Sequence, residues 1–275
     1  MATARILLVG CGNMGRALLA GWLDAGVAAD DVAVVDPDAQ AIAEARARYA
    51  VRAVCAVEPL ADIRPEAIVI AVKPQVLANV APRYARFATT DCVFLTIVAG
   101  RTIAGLQARL GDRAALVRAM PNTPASVGRA ISVACANARV SAEQRTLCQG
   151  LLSAVGTVEW VEDEALLDAV TAVSGSGPAY VFLLAECLAA AGVAAGLPPD
   201  LAERLARQTV AGAGELLHRS GEPAESLRRK VTSPGGTTAA ALAVLMDGVD
   251  GARGLAPLLT AAVRAAAARS RALAG

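Results

Sequence analysis

Short, continuous apolar runs alternate with longer amphipathic stretches through the first half of the chain. Runs at 5–10 (RILLVG), 31–36 (DVAVVD), 67–72 (AIVIAV), 93–98 (VFLTIV) and 114–119 lack the apolar–polar alternation of a half-exposed strand. They predict strands buried on both faces. Between them, apolar positions recur at helical spacing over 13–25, 38–49, 75–87 and 103–110. Two further strands, 131–134 and 156–161, flank a helix over 141–154. Strands and helices alternating through short connections predict a doubly wound parallel sheet with helices on both faces, over residues 1–161.

Beyond residue 162 the strand-like runs stop. Long Ala- and Leu-rich segments follow at 162–173, 178–195, 199–218, 236–246 and 251–273, broken at GLPP (196–199) and SGEP (220–223). They predict an all-helical second domain over 162–275. The stretch 179–197 carries one charge, Glu186, and is long enough to cross a bilayer. It is nevertheless rich in Ala and Gly, lacks flanking basic anchors and holds Glu186 near its middle. A helix buried in a domain core or subunit interface is the better expectation, with no membrane association. The apolar run at the N-terminus is too short for a signal-peptide core.

Composition narrows the chemistry. The 275 residues include 65 Ala, 24 Arg, two Lys (Lys73 and Lys230) and one His (His218), with a formal net charge of +1. At 55% hydrophobic the chain is too apolar for disorder, and its scattered basic residues do not form a nucleic-acid-binding surface. A single histidine excludes a multi-histidine metal site and leaves a Ser-His-Asp hydrolase only His218 as base. None of the six cysteines has CxxC spacing, and apolar neighbours at Cys135 and Cys187 predict free, buried thiols in a reducing cytosol.

Directly after the first strand stands Gly10-Cys11-Gly12-Asn13-Met14-Gly15, a GxGxxG sequence opening a helix. Gly10 suits a tight turn, Gly12 lets the backbone approach a pyrophosphate, and Gly15 permits close helix–strand packing. The helix N-terminus adds unpaired N–H groups for phosphates. Alone the motif is weak; its place between strand and helix, with Asp36 ending the second strand, points to a Rossmann-type dinucleotide site. Asp36 can accept from ribose hydroxyls and repels a 2′-phosphate, which leans the choice towards NADH over NADPH, although Arg46 and Arg48 stand within reach on the next helix. Ala71-Val72-Lys73-Pro74 follows another strand, where ligands of such sheets sit, so Lys73 is expected at the cofactor.

Three further segments exceed generic scaffold: Met120-Pro-Asn122-Thr-Pro124, Ser174-Gly-Ser176-Gly-Pro-Ala-Tyr180, and Val231-Thr-Ser233-Pro-Gly-Gly236-Thr237-Thr238. The last two are hydroxyl- and glycine-rich turns entering helices, suited to a carboxylate or another small anion. Ordinary helix caps would also use Ser, Gly and Pro.

With these motifs in order, the chain resembles the pyrroline-5-carboxylate reductases over residues 5–271. GxGxxG at 10–15 and AVKP at 71–74 are shared with other reductases; NTP at 122–124, SGSGPAY at 174–180 and VTSPGGTT at 231–238 are specific. The resemblance implies NADPH- or NADH-dependent reduction of a cyclic imine to L-proline. It also implies a homodimer through interleaved helical domains, often a larger ring of dimers, with the site shared by two subunits. Gly10–Gly15, Val72, Lys73 and Asn122 would hold the cofactor. Ser233, Gly236, Thr237 and Thr238 would hold the substrate carboxylate and ring nitrogen, with Asp163 and Ser176 lining the pocket. Thr238 and Lys73 are the catalytic candidates. The chain departs from the family at Lys230, often a neutral residue; near Val57 and Glu58, where an asparagine is often found; and at Asp36. Two rivals remain at this level: a β-hydroxyacid dehydrogenase, for which Lys230 would be the only helical-domain lysine, and a cofactor-binding protein without turnover.

Overall fold

The computed structural model describes residues 4–60, 62–247 and 254–274. By contacts the chain divides into two compact units, residues 1–175 with 267–275, and residues 176–266.

The first unit is built on an eight-stranded sheet: β1 (Ile6–Val9), β2 (Val32–Val35), β3 (Arg52–Val54), β4 (Ala67–Ile70), β5 (Val93–Thr96), β6 (Ala115–Met120), β7 (Ala130–Ala136) and β8 (Gly156–Trp160). Its order is β3-β2-β1-β4-β5-β6-β7-β8, all pairs parallel except β6–β7. That antiparallel pair is the one exception within the expected parallel sheet. Only a short 3₁₀ turn, Thr123–Val127, joins β6 to β7, and a parallel return needs a crossover of a dozen or more residues. The central strands β1, β2, β4 and β5 are buried throughout, as their unbroken apolar runs predict.

Helices α1 (Asn13–Asp24), α2 (Ala39–Tyr49), α3 (Leu77–Val80), α4 (Ile103–Leu110) and α5 (Ala142–Ser153) cover the sheet. They close two cores, one on each face, the first around Leu8, Leu18 and Trp22 and the second around Leu7, Ile68 and Phe94. The helix expected over 75–87 is one α turn continued as a 3₁₀ segment, Ala81–Phe87, with Pro82 at its start. Proline cannot donate the N–H that an α-helix needs there. The strand β3 was not expected: three residues at the sheet edge carry no periodicity to read.

After β8 the chain forms α6 (Leu166–Val170) and a π-helical turn, Thr171–Gly175. Leu167 and Ala172 are buried, so this stretch belongs to the first unit although its composition is that of the helical half. The second unit contains α7 (Gly177–Ala194), α8 (Pro199–Ser220), α9 (Ala224–Lys230), α10 (Thr237–Asp247) and the first part of α11 (Leu255–Ala274). The expected start of that last helix at 251 lies outside the described residues. Helices α7 and α8 form a hairpin in which a Cβ on Gly192 would stand 3.2 Å from that of Ala202. The tail of α11 returns to the first unit, where Ser270 Oγ donates to Asp168 Oδ1 at 2.6 Å.

In the single chain α7 exposes Val181, Phe182, Leu183, Leu184 and Leu188. The helical run Leu166–Ala194 is long and apolar enough to cross a membrane by length and composition. Among the cysteines Cys11, Cys92, Cys135 and Cys148 are buried free thiols as expected, whereas Cys55 and Cys187 are exposed. Cys187 shares the uncovered surface of α7, so an apolar neighbourhood along the chain did not mean burial within it.

Candidate functional site: a dinucleotide crevice and a hydroxyl-rich loop

The strand order reverses at β1–β4, and ligands of open α/β sheets sit beyond the carboxyl ends of the strands at that point. The glycine-rich loop leaves β1 there. Gly10 has φ +97°, and a Cβ on it would stand 2.6 Å from the Ala71 carbonyl oxygen. A Cβ on Gly15 would collide with the Gly10 carbonyl oxygen. Gly12 differs: it is exposed, with nothing within 4 Å of its Cβ position. Two glycines thus bring helix, loop and strand together, and the third leaves open backbone in front of α1. That open cradle fits a pyrophosphate, with the first-turn N–H groups of Asn13, Met14 and Gly15 behind it.

Asp36 lies just past β2. Its Oδ2 accepts from the Cys11 N–H at 2.6 Å and its Oδ1 from the Asp38 N–H at 2.9 Å. The carboxylate therefore ties the glycine loop to the second strand, and its spare lone pairs remain able to accept ribose hydroxyls. The Cys11 thiol is fully buried, and that burial first, then the Asp36 charge, pushes its pKa up. Arg46 donates to the Ala53 carbonyl and Arg48 stacks on Tyr49, so both have partners of their own.

A cleft of about 260 Å³ opens beside the loop. Met14 from α1, Ala71, Val72 and Pro74 after β4, residues 97–99 after β5, Met120 at the end of β6 and residues 121–123 after it form it. Lys73, expected with its neighbours, is exposed and does not line the cleft. Asn122 lines it and is almost fully buried. Its Oδ1 accepts from the Ile131 N–H at 3.0 Å and its Nδ2 donates to the Ser174 carbonyl at 3.2 Å. The side chain is a brace between the loop, β7 and the π turn. Gly175 belongs to the same wall, because the tip of Met120 occupies the space where its Cβ would stand. A larger cleft of about 560 Å³ lies at the amino ends of the strands between Arg5, Trp22 and Thr146, away from the glycine loop. Size alone does not locate the chemistry.

Sequence reasoning passed over a polar cluster near the end of β8. Arg118, 5% exposed in the middle of β6, donates Nη1 to Glu164 Oε1 at 2.7 Å. The same oxygen accepts the Ile103 N–H at 2.9 Å, at the start of α4. An arginine inside an apolar strand was the available signal, since such a charge requires a partner. Asp163, the neighbouring acid, is exposed and caps the Ala165 N–H at 2.9 Å.

In the helical unit, residues 231–236 link α9 to α10. Thr232 Oγ1 donates to the Arg228 carbonyl at 2.7 Å, and Gly235 takes φ +69°. The Gly236 N–H bonds the Ser233 carbonyl at 3.1 Å, so the loop folds tightly before the helix begins at Thr237. Ser233 and Thr237 are exposed and Thr238 is half-buried. The first-turn N–H groups of α10 and these hydroxyls form a donor-rich face suited to a carboxylate. Lys230 Nζ donates to both Glu222 oxygens, at 2.6 and 2.7 Å. Ser176 precedes α7 and makes no side-chain cap there.

Comparison with known proteins places this architecture. Residues 164–273 match the family model described as pyrroline-5-carboxylate reductase dimerisation, and residues 5–100 match that of NADP oxidoreductase, coenzyme F420-dependent. The chain is 42% identical to a pyrroline-5-carboxylate reductase of Pseudomonas aeruginosa, over 100% of this chain and 98% of that one. The solved pyrroline-5-carboxylate reductase of Coxiella burnetii superposes with a TM-score of 0.91 at 32% identity, covering 99% of both chains. The Plasmodium falciparum pyrroline carboxylate reductase with NADP bound gives 0.82 at 29%, covering 100% of both. Identity at this level over the whole length means that the chain belongs to the pyrroline-5-carboxylate reductase family of oxidoreductases.

Proposed function

We propose that this chain reduces 1-pyrroline-5-carboxylate to L-proline, the last step of proline biosynthesis, using NADH or NADPH held at the carboxyl edge of its sheet. The observation that carries the reading is the cleft at the β1–β4 reversal, opening beside an exposed Gly12. The bound dinucleotide supplies the hydride. Backbone N–H groups of Gly12–Gly15 hold its phosphates, Asp36 accepts from its ribose and favours NADH, and Ala71, Val72, Pro74 and Asn122 shape the cleft. Lys73 adds a positive charge at the rim of the same edge.

The substrate carboxylate is bound by the N–H groups of Gly236, Thr237 and Thr238 and by the Ser233 hydroxyl, while Ser176 and Asp163 line its surroundings. Thr238 Oγ1 hydrogen-bonds the ring nitrogen and orients the imine. A protonated imine is already electrophilic: hydride adds to its carbon, and the C=N π pair moves onto nitrogen as the amine lone pair. No metal or strong base is required, which suits a chain with one histidine. A hydroxy-acid dehydrogenase would require a lysine free to take an alcohol proton in the helical unit, and the Lys230 Nζ is engaged there by both Glu222 oxygens.

The exposed apolar face of α7 supports a homodimer through the helical unit; the same reading takes the dimers into a larger ring, in the cytosol, without membrane or nucleic acid. The assay follows absorbance of NADH and NADPH separately with pyrroline-5-carboxylate. Thr238→Ala should lower kcat/KM about tenfold or more, as expected for loss of an orienting or proton-donating group. Unchanged steady-state kinetics in that variant would remove Thr238 from the mechanism.

A further inference from the structure

A pair of opposite charges stands beside the glycine loop. Arg16, one residue past Gly15 in the first turns of α1, donates Nη1 to Glu44 Oε2 of α2 at 2.6 Å. The other Glu44 oxygen accepts from Gln40 Nε2 at 3.1 Å, which fixes the carboxylate. Asp36 accepts from the Cys11 N–H at 2.6 Å and Arg16 directly follows Gly15, so the Asp36 carboxylate and the Arg16–Glu44 pair both attach to the glycine loop and its helix. The basic residues of α2 point to other partners, Arg46 to the Ala53 carbonyl and Arg48 to the Tyr49 ring.

We propose that Glu44 is a second specificity-determining residue for the dinucleotide, acting by keeping Arg16 from a 2′-phosphate. The inference rests on the reading of Asp36 as the carboxylate that meets the ribose. A 2′-phosphate carries close to two negative charges at neutral pH. It would meet Asp36 and Glu44 while the nearby guanidinium is already neutralised. A 2′-hydroxyl carries no charge and donates to Asp36 without opposing Glu44. Arg16 has the exposure to serve a phosphate, its side chain being 42% exposed, and guanidinium pairs with phosphate through two parallel hydrogen bonds. What withholds it is the carboxylate four residues after Gln40.

Titration calorimetry of NAD⁺ and NADP⁺ on the purified protein reads this directly, independent of turnover. Glu44→Gln keeps the shape and removes the charge. It should strengthen NADP⁺ relative to NAD⁺ by about two- to fivefold, the effect of one exposed charge. The double variant Glu44→Gln/Arg16→Gln should lose that gain, and added salt should shrink it. An unchanged ratio in Glu44→Gln, or a gain that survives loss of Arg16, overturns the role of Glu44. Asp36→Asn separates the two ideas: it should move the same ratio by about tenfold or more, the cost of a directly opposed like charge. If Asp36→Asn shifts the ratio and Glu44→Gln does not, only the Glu44 proposal falls. If Asp36→Asn leaves it unmoved, the ribose reading of Asp36 falls and takes this proposal with it.

Discussion

The two units use the same apolar residue types in opposite ways. In the sheet unit β1, β2, β4 and β5 are fully buried and two cores close within one chain. In the helical unit α7 has no fully buried residue, and Phe182 and Leu183 are 63% and 57% exposed. An apolar helix covered only on its α8 side is not a finished structure in water. The sheet unit is complete as one chain, whereas the helical unit is completed by association. That division has a chemical counterpart. The cleft beside the glycine loop is assembled within one unit, and the hydroxyl-rich loop lies in the other, which carries most of the dimerisation match.

Breaking the comparison starts with α7. Phe182→Glu with Leu184→Glu should turn the oligomer into monomers, visible as a lower sedimenting mass at micromolar concentration. An oligomer that survives both charges would mean that α7 is covered in some other way. The next effect lies in the sheet unit. Trp22 is fully buried between α1 and α5, with Nε1 donating to the Leu151 carbonyl at 2.8 Å. Trp22→Ala should cost about 3–5 kcal/mol and lower the thermal midpoint without changing the oligomeric state at low temperature. If the oligomer dissociates in step with that loss, the two units are not independent in the sense argued above.

The smallest effect is at the amino edge of the sheet. Arg5 pairs with Glu66 through two bonds of 2.8 Å, and hydrogen bonding to Arg5 holds the Glu66 carboxyl below its ordinary 4.5. A folded-state value that is lowered means stabilisation present above about pH 4.5 and lost as pH falls through the folded value. Arg5→Gln should therefore lower the melting temperature slightly at pH 7 and by progressively less as the pH falls below 4.5, with the difference fading in high salt. A larger loss at pH 3 than at pH 7 would contradict the pairing.

The sheet was legible because its signals are local. Each apolar run marks a strand, and GxGxxG between a strand and a helix marks where the cofactor edge must be. Elements whose form depends on neighbours were misread or missed. The edge strand β3 has three residues and no pattern, and the helix expected over 75–87 breaks at Pro82. The segment expected as helix over 162–173 ends in a π turn, where the Ser174 carbonyl accepts from Asn122. For the candidate site, the residue types were readable and their engagements were not. Asn122, expected at the cofactor, lines the cleft, and its bracing bonds to Ile131 and Ser174 were not readable. Lys73 was expected beside Ala71 and Val72 and stands outside the cleft that they line.

The sequence by itself determined the alternation of strands and helices, the position of the glycine loop after β1, the helical second half and the motifs that mark the family. These follow from residue spacing and backbone freedom over a few positions. The tertiary structure decided which polar groups meet. Asp36 reaches the Cys11 N–H across 25 residues, Arg118 reaches Glu164 across 46, and Glu164 reaches the Ile103 N–H across 61. It also decided that β7 runs against β6 and that Arg16 is held by Glu44. Such pairings depend on where the folded sheet brings distant segments together, and no local periodicity encodes that.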